Sequence, residues 1–430
     1  MVRLPQGGGR LEFVTHLDSG ETAHNYPDVL PNGKGAVFTI WRGGLSNFEI
    51  AAVDFSSGVH HTIVKGLYAR YAAPGYLIYV SATGTLLAAR FDQNSLELTG
   101  EPTALAEGIG IRGQGYVDLG LSRTGTLLYT GGDAFAISAD LVWVARDGVV
   151  QVIDSNAFDA PVVSPDGRRI ASGVNAAGAQ NIWVRLMPNG PMSKLTFEGS
   201  DDSRPFFSPD GSMVGFYSTR ARVASLFAVR TDGSAPAESL LARPNSIYEG
   251  EWSPDGRWLV YRTHAVPLGD IMAIRTQGDT TPVALVATGA NERAPALSPD
   301  ARWLAYVSDE SGSDEVYVRP FPEAARGKWQ ASLQGGTEPV WAHNGRELFY
   351  RNPAGDMVSA AFTTQPTFTV GHQTVLFQGV NYLRDDSHRE YDVSPDDRRF
   401  LMVRPRNTGA NANLVMVENW FTELVEKVGS

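Results

Sequence analysis

Short apolar or alternating runs recur along nearly the whole chain, separated by polar stretches rich in turn-forming residues. Trp258-Leu259-Val260-Tyr261, Trp303-Leu304-Ala305-Tyr306-Val307 and Glu347-Leu348-Phe349-Tyr350 are three of them. Their length and their β-branched and aromatic content predict strands, and the 3.6-residue spacing of a helix is missing from them. Each follows a turn: Ser164-Pro165-Asp166-Gly167 recurs as Ser208-Pro209-Asp210-Gly211 and Ser253-Pro254-Asp255-Gly256. Degenerate copies are Ser298-Pro299-Asp300-Ala301, Ala342-His343-Asn344-Gly345 and Ser394-Pro395-Asp396-Asp397. The fourth positions are 44, 45, 45, 44 and 52 residues apart. Weaker copies at Leu30-Pro31-Asn32-Gly33, Ala73-Pro74-Gly75 and Ser122-Arg123-Thr124-Gly125 bring the number to nine.

The four residues suit a hairpin connection. Proline presets φ, Asp bonds back to nearby backbone, and Gly accepts the left-handed conformation that follows. A third strand then follows in each unit (Asn181–Val184, Ser225–Val229, Asp270–Ile274, Glu315–Val318), and an edge-like fourth (Ser193–Thr196, Pro282–Leu285). Four strands per period of about 44 residues predict an all-β fold, a closed β-propeller of four-stranded antiparallel blades. Counting turns gives nine blades, with eight as the alternative if the unit at 67–108 is irregular. The expected layout is one propeller domain over 1–430: a closing strand within 1–24, blades over 25–419, and a helix and tail at 420–430. The last blade, 389–419, shows three obvious strands, and the alternating Leu11–Leu17 is expected to supply the fourth and seal the exposed sheet edge. Trp420, Phe421, Leu424 and Val425 fall on one face of a short C-terminal helix.

The repeated turn, preceded three residues earlier by Pro161, Pro205, Pro295 and Pro339, resembles the TolB-like propeller repeat over nearly the whole chain. Tyr26–Gly33, Gly345–Tyr350 and Asn419–Leu424 resemble the propeller region that follows the kinase domain in bacterial eukaryotic-like Ser/Thr kinases. The resemblance implies a non-catalytic sensor or interaction module of a receptor-like kinase or of a TolB-like protein, periplasmic or otherwise extracytoplasmic. The Gly-His and Trp-Asp signatures of WD repeats are missing.

Charge narrows the partners. A net charge of −11 over 430 residues, with no basic run, argues against nucleic acid. Absence of cysteine excludes disulfides, thiolate metal sites and a thiol nucleophile. No run of about 18 apolar residues spans a membrane, and the N-terminus lacks a signal-peptide core. Either the native protein is cytoplasmic or the chain is a fragment whose targeting segment lies elsewhere, and the second is the reading preferred; a monomer is expected.

Catalytic motifs are sparse. Gly108-Ile109-Gly110-Ile111-Arg112-Gly113 matches GxGxxG but lacks the strand–helix context of a dinucleotide site and the other kinase motifs, so it reads as a linker between blades. There is no GxSxG elbow and no phosphate-binding P-loop. The eight histidines show no ligand spacing, and adjacent His60 and His61 point to opposite faces of a strand. The acidic loop Asp309–Glu315 lacks calcium-loop spacing and reads as solvated. No catalytic residue, metal or cofactor is assigned.

Propellers bind where the first strands of all blades converge. Aligned on the turns, the positions facing that funnel include Tyr26, Asp118, Asp159, Arg204, Tyr248, Glu249, Arg293, Glu338, Arg389 and Glu390. Convergent charged and tyrosyl groups there suit recognition of a peptide, a protein or a small ligand. The same groups could instead line a channel and neutralise one another. The second functional reading is a hydrolase or lyase assembled from several blades around the axis.

Overall fold

The computed structural model describes residues 1–4, 10–18, 21, 23–42, 48–73, 75–112, 116–131, 139–176, 179–198, 201–221, 223–264, 268–364, 368–406 and 414–429. The chain forms two compact units, Met1–Ile137 with Ala176–Ala179 and Asn407–Ser430, and Ser138–Asn175 with Gln180–Arg406. The second is inserted in the sequence of the first.

The second unit is a ring of six four-stranded antiparallel sheets. Blade one begins with Phe158–Val163, blade two with Asp202–Phe207, blade three with Ser246–Trp252, blade four with Arg293–Leu297 and blade five with Thr337–Trp341. These first strands pack against one another from blade to blade, which places them innermost. The second strands, such as Leu259-Val260-Tyr261 and Leu304-Ala305-Tyr306-Val307, are buried because sheets cover both of their faces. That explains why they read as continuous apolar runs rather than as alternation.

The turns behave as their chemistry dictates. Ser253 Oγ donates to Asp255 Oδ1 at 2.6 Å, and the Trp258 N–H donates back to Ser253 Oγ at 2.9 Å. Gly256 takes φ +71°. The Ser–Asp bond recurs at Ser164, Ser208, Ser298 and Ser394. In the degenerate copies Ala301 (φ 53°) and Asp397 (φ 58°) hold the same left-handed conformation at a steric cost.

Blade six corrects the expected closure. Its two inner strands are Tyr391–Val393 and Arg399–Pro405, and its outer two are Ala139–Ala145 and Val150–Asn156. Ala139–Ala145 pairs in register with Arg399–Pro405 along its whole length. Apolar clusters join this sheet to both neighbours: Val142, Tyr391 and Phe400 meet Phe349 of blade five, while Leu141, Trp143 and Leu401 meet Phe158 and Ile170 of blade one. The ring therefore closes within 139–405 at six blades, where the turn count predicts nine in one ring. Of the N-terminal segment expected to close it, Glu12–Phe13 pairs with Val2–Arg3 instead. The physical difference is burial. Ala139–Ala145 is buried at six of its seven positions and can serve as an interior strand, whereas Glu12 and Phe13 are exposed.

The other three turns lie in the first unit. It holds a four-stranded sheet (Ala23–Val29, Gly35–Trp41, Phe48–Asp54, His60–Lys65) and a sheet built on Tyr68–Ala72, Tyr76–Val80 and Leu86–Asp92. A third sheet joins Leu119–Leu121 and Leu127–Thr130 to the C-terminal Leu414–Val417. The predicted helix spans Trp420–Val428 and buries Trp420 and Leu424 in the core of this unit. Pro74 of the second turn and Gly113 of the GxGxxG match lie outside the described residues. Among the described residues, no helix is long and apolar enough to cross a membrane.

Candidate ligand-binding site

The first strands of blades one to five share an irregularity. Their ladders shift register between Asp159 and Val162, Ser203 and Phe206, Ile247 and Glu249, Arg293 and Ala296, and Thr337 and Val340. Ala160, Arg204, Ala294 and Glu338 sit in these bulges at φ between 43° and 55°, each followed by proline. Proline lacks an N–H, so interrupting the ladder there strands no donor. In blades one and four the donor before it finds a carboxylate on the preceding blade. Ala160 N–H donates to Glu390 Oε2 at 3.0 Å, and Ala294 N–H to Glu249 Oε1 at 2.9 Å. In blade six, which lacks this bulge, Glu390 N–H donates to Glu338 Oε2 at 2.9 Å. An outer row repeats the device: Val163 N–H meets Asp392 at 2.8 Å and Leu297 N–H meets Glu251 at 3.1 Å. These bonds latch successive blades together.

Inside the latches lies a small cavity of about 50 Å³, lined by Arg204, Phe206, Glu249, Glu251, His388 and Arg389 together with bulge prolines. That leaves room for about three to five water molecules or a small polar group. Arg204 donates to the Tyr248 carbonyl at 3.1 Å and stacks on the rings of Tyr248 and Tyr217, 4.9 and 5.6 Å from their centroids. No carboxylate of a described residue pairs with it. Arg389 makes no hydrogen bond or ion pair with a described residue, and part of its surface stays open. Two guanidinium groups thus face the cavity with no carboxylate of a described residue at ion-pair distance, while the fields of Glu249, Glu251, Asp385 and Asp392 act on them from further away.

Burial sets the protonation of the acids around them. It pushes Glu251 up to about 7 against the opposing field of Arg389. It also pushes Glu338 up to about 7 against Arg351, and Asp159 up to about 7 with help from Glu390. His388 goes the other way. Burial and Arg204 oppose its charge, but Glu390 and Asp385 outweigh them and push it up to about 10. Its Nε2 lies 2.6 Å from Glu390 Oε1 and its Nδ1 3.4 Å from Asp385 Oδ1.

Of the residues expected at the funnel, Arg204, Glu249 and Arg389 line the cavity, and Tyr248 supports Arg204. Glu338 and Glu390 are latches, and Asp159 accepts from Gln180 at 2.5 Å beside His388 and Glu390. Arg293 turns elsewhere, pairing with Asp314 and donating to the Asp386 carbonyl at 2.5 Å. Tyr26 and Asp118 belong to the first unit, where Tyr26 packs edge-on against Tyr68 and Asp118 accepts from Thr130 Oγ1 at 2.9 Å. These two are corrected as members of the ring's cavity.

Turn alignment missed His388, Glu251 and the segment that carries His388. Residues 383–389 cross the ring: the Ser387 carbonyl accepts from Arg262 of blade three at 2.9 Å, and the Asp386 carbonyl from Arg293 of blade four. The signal was present in the 52-residue interval before Asp397, longer than its neighbours at 44 and 45, because this crossing consumes the excess.

Residues 139–292 match the family model described as the TolB beta propeller domain. Among solved structures, a TolB-designated protein from Agrobacterium tumefaciens aligns at 16% identity and TM-score 0.50, over 62% of this chain and 98% of its own. TolB from Acinetobacter baumannii aligns at 15% identity and TM-score 0.42, over 69% and 79%. Hydrazine synthase from Kuenenia stuttgartiensis aligns at 16% identity and TM-score 0.45, over 70% and 94%. The fold is that of a TolB-like β-propeller.

Proposed function

We propose that this TolB-like β-propeller is a non-catalytic binding module whose central cavity holds the anionic group of a peptide or small ligand. One observation carries the reading: among the described residues no carboxylate or carbonyl lies within hydrogen-bond or ion-pair reach of Arg389 and no carboxylate pairs with Arg204, although Glu249 and Glu251 line the same cavity. An unpartnered guanidinium in a confined space is costly, and a ligand carboxylate would form charge-assisted bonds with it. The small free volume suits a carboxylate group rather than a bulky side chain. Sensing or protein interaction, as part of a bacterial receptor-like Ser/Thr kinase or a TolB-like protein outside the cytoplasm, follows from the sequence resemblance and forms the wider part of the same proposal.

His388 is held as an imidazolium between Glu390 and Asp385 and offers no base near neutral pH, so a hydrolase or lyase reading would rest on Glu251 or Asp159, whose carboxyls burial pushes up to about 7. Thermal unfolding at constant ionic strength tests the binding reading with succinate as probe. Saturating succinate raises the midpoint of the wild type and leaves that of Arg389→Gln unmoved. An equal rise in both proteins, or no rise in either, overturns it.

A further inference from the structure

Far along the sequence from the ring's cavity, the first unit gathers two imidazoles and a carboxylate. His24 lies on Ala23–Val29, His60 opens His60–Lys65, and Glu21 stands just before the first of these strands. His24 Nε2 is 2.9 Å from Glu21 Oε2, and His60 Nε2 is 3.3 Å from Glu21 Oε1. Ligand atoms of all three residues lie within 4.8 Å of one another. The side chains are nearly closed to solvent, with 2%, 1% and 8% exposure for His24, Glu21 and His60. We propose that Glu21, His24 and His60 form a binding site for a divalent first-row cation of the Zn²⁺ class.

The donor set and its spacing support this. Two imidazole nitrogens and one carboxylate oxygen suit Zn²⁺. Bonds of about 2.0–2.1 Å at tetrahedral angles place donor atoms roughly 3.3 Å apart, near the 2.9 Å between His24 Nε2 and Glu21 Oε2, while His60 Nε2 lies 3.3 Å from the other oxygen, Oε1. The second layer is in place as well. His24 Nδ1 is bonded to Thr15 Oγ1 at 2.8 Å, which fixes the ring with Nε2 facing Glu21. Arg42 donates to Glu21 Oε1 at 3.2 Å and the Asp18 N–H to Oε2 at 2.7 Å, which holds the carboxylate between the two imidazoles with a lone pair of Oε2 left for the cation. Both imidazoles lie against Phe38, with ring centroids 4.7 and 5.7 Å away, giving the site an apolar wall. Asp18 Oδ2, 3.5 Å from His60 Nε2 and otherwise exposed, stands outside the three-residue group, which leaves the fourth position to water. His60 and His61 do diverge as adjacent strand residues must, His61 facing the Leu96 carbonyl. The partner of His60 is instead a histidine 36 positions earlier, a spacing that no local motif records.

The cluster of Asp159, His388 and Glu390 in the second unit has the same residue types and is a poorer candidate. Its imidazole is engaged at both nitrogens by carboxylates and lies in the field of Arg204.

The test uses the full chain stripped with EDTA. Zn²⁺ titration by calorimetry is expected to show one tight site, and Co²⁺ to give the visible absorption of a four-coordinate nitrogen–oxygen site. His60→Ala, with circular dichroism matching the wild type, is expected to weaken Zn²⁺ at least about 100-fold, and Thr15→Val about 10-fold. His388→Asn is expected to leave binding unchanged. If His60→Ala fails to fold, His24→Asn with the Co²⁺ spectrum provides the same decision. No stoichiometric Zn²⁺ uptake, or uptake lost in His388→Asn and kept in His60→Ala, overturns the proposal.

Discussion

Glu390 accepts the backbone N–H of Ala160 at 3.0 Å, across 230 residues of sequence. The bond joins blade six to blade one, which the chain also connects directly, since Val150–Asn156 of blade six runs into Phe158–Val163 of blade one. Glu338 passes the same contact to Glu390, so the latches run through consecutive blades at the point of closure.

Glu390→Ala removes the acceptor of a buried donor and one of the two carboxylates facing His388. Such a loss costs about 1–3 kcal/mol. Urea denaturation is expected to show a lower midpoint with an unchanged slope. An unchanged midpoint would mean that the latch contributes nothing to closure.

Glu251 sets a pH signature. Burial pushes it up to about 7 from an ordinary value of 4.5, so the folded state holds the proton more tightly than the unfolded chain. Its contribution is therefore fully present below about pH 4.5 and is lost as pH rises through 7. Glu251→Gln keeps an oxygen for the Leu297 N–H and cannot ionise. The stability difference between variant and wild type is expected to move in the variant's favour by roughly 2–4 kcal/mol between pH 4 and pH 8. Paired denaturation curves at the two pH values check it; a constant difference would contradict the assigned burial.

Ala301 occupies a position that its sister turns give to glycine, at φ 53°. Relief of left-handed strain, about 1–2 kcal/mol, outweighs the extra unfolded-state entropy of glycine. Ala301→Gly is expected to raise stability by about 0.5–1 kcal/mol, measured by urea denaturation. Destabilisation would show that the turn is not strained.

Residues 138–406 contain every strand of the six-bladed ring. Expressed alone, this segment is expected to unfold in a single cooperative transition with the β-type circular dichroism of the ring. Removal of Ala139–Asn156 from it is expected to abolish that transition, because blade six then loses its two outer strands.

The division between legible and hidden features follows the range of the interactions. The nine turns were readable because Ser-Pro-Asp-Gly encodes its geometry within four residues, and the turn-anchored alignment reached Arg204, Glu249 and Arg389 through the constant offset from turn to bulge. Ring closure was not readable: Leu11–Leu17 alternates as well as an edge strand should, and only tertiary burial selects Ala139–Ala145 as the partner of Arg399–Pro405. His388 escaped because it lies one position further from its turn than the two positions aligned, on the segment that crosses the ring. Tyr26 and Asp118 occupy equivalent repeat positions but belong to sheets outside the ring.

The central claim is that Arg389 recognises a carboxylate in the cavity of the ring. Calorimetric titration of an acidic peptide with a free C-terminal carboxylate, beside its amidated twin, measures this directly on the wild type and on Arg389→Gln. The account predicts that the free-carboxylate peptide binds the wild type, that amidation or Arg389→Gln weakens it about 10- to 100-fold, as loss of a charge-assisted bond implies, and that the unfolding midpoint of Arg389→Gln does not fall. Equal affinity for both peptides, or undiminished binding by Arg389→Gln, would contradict it.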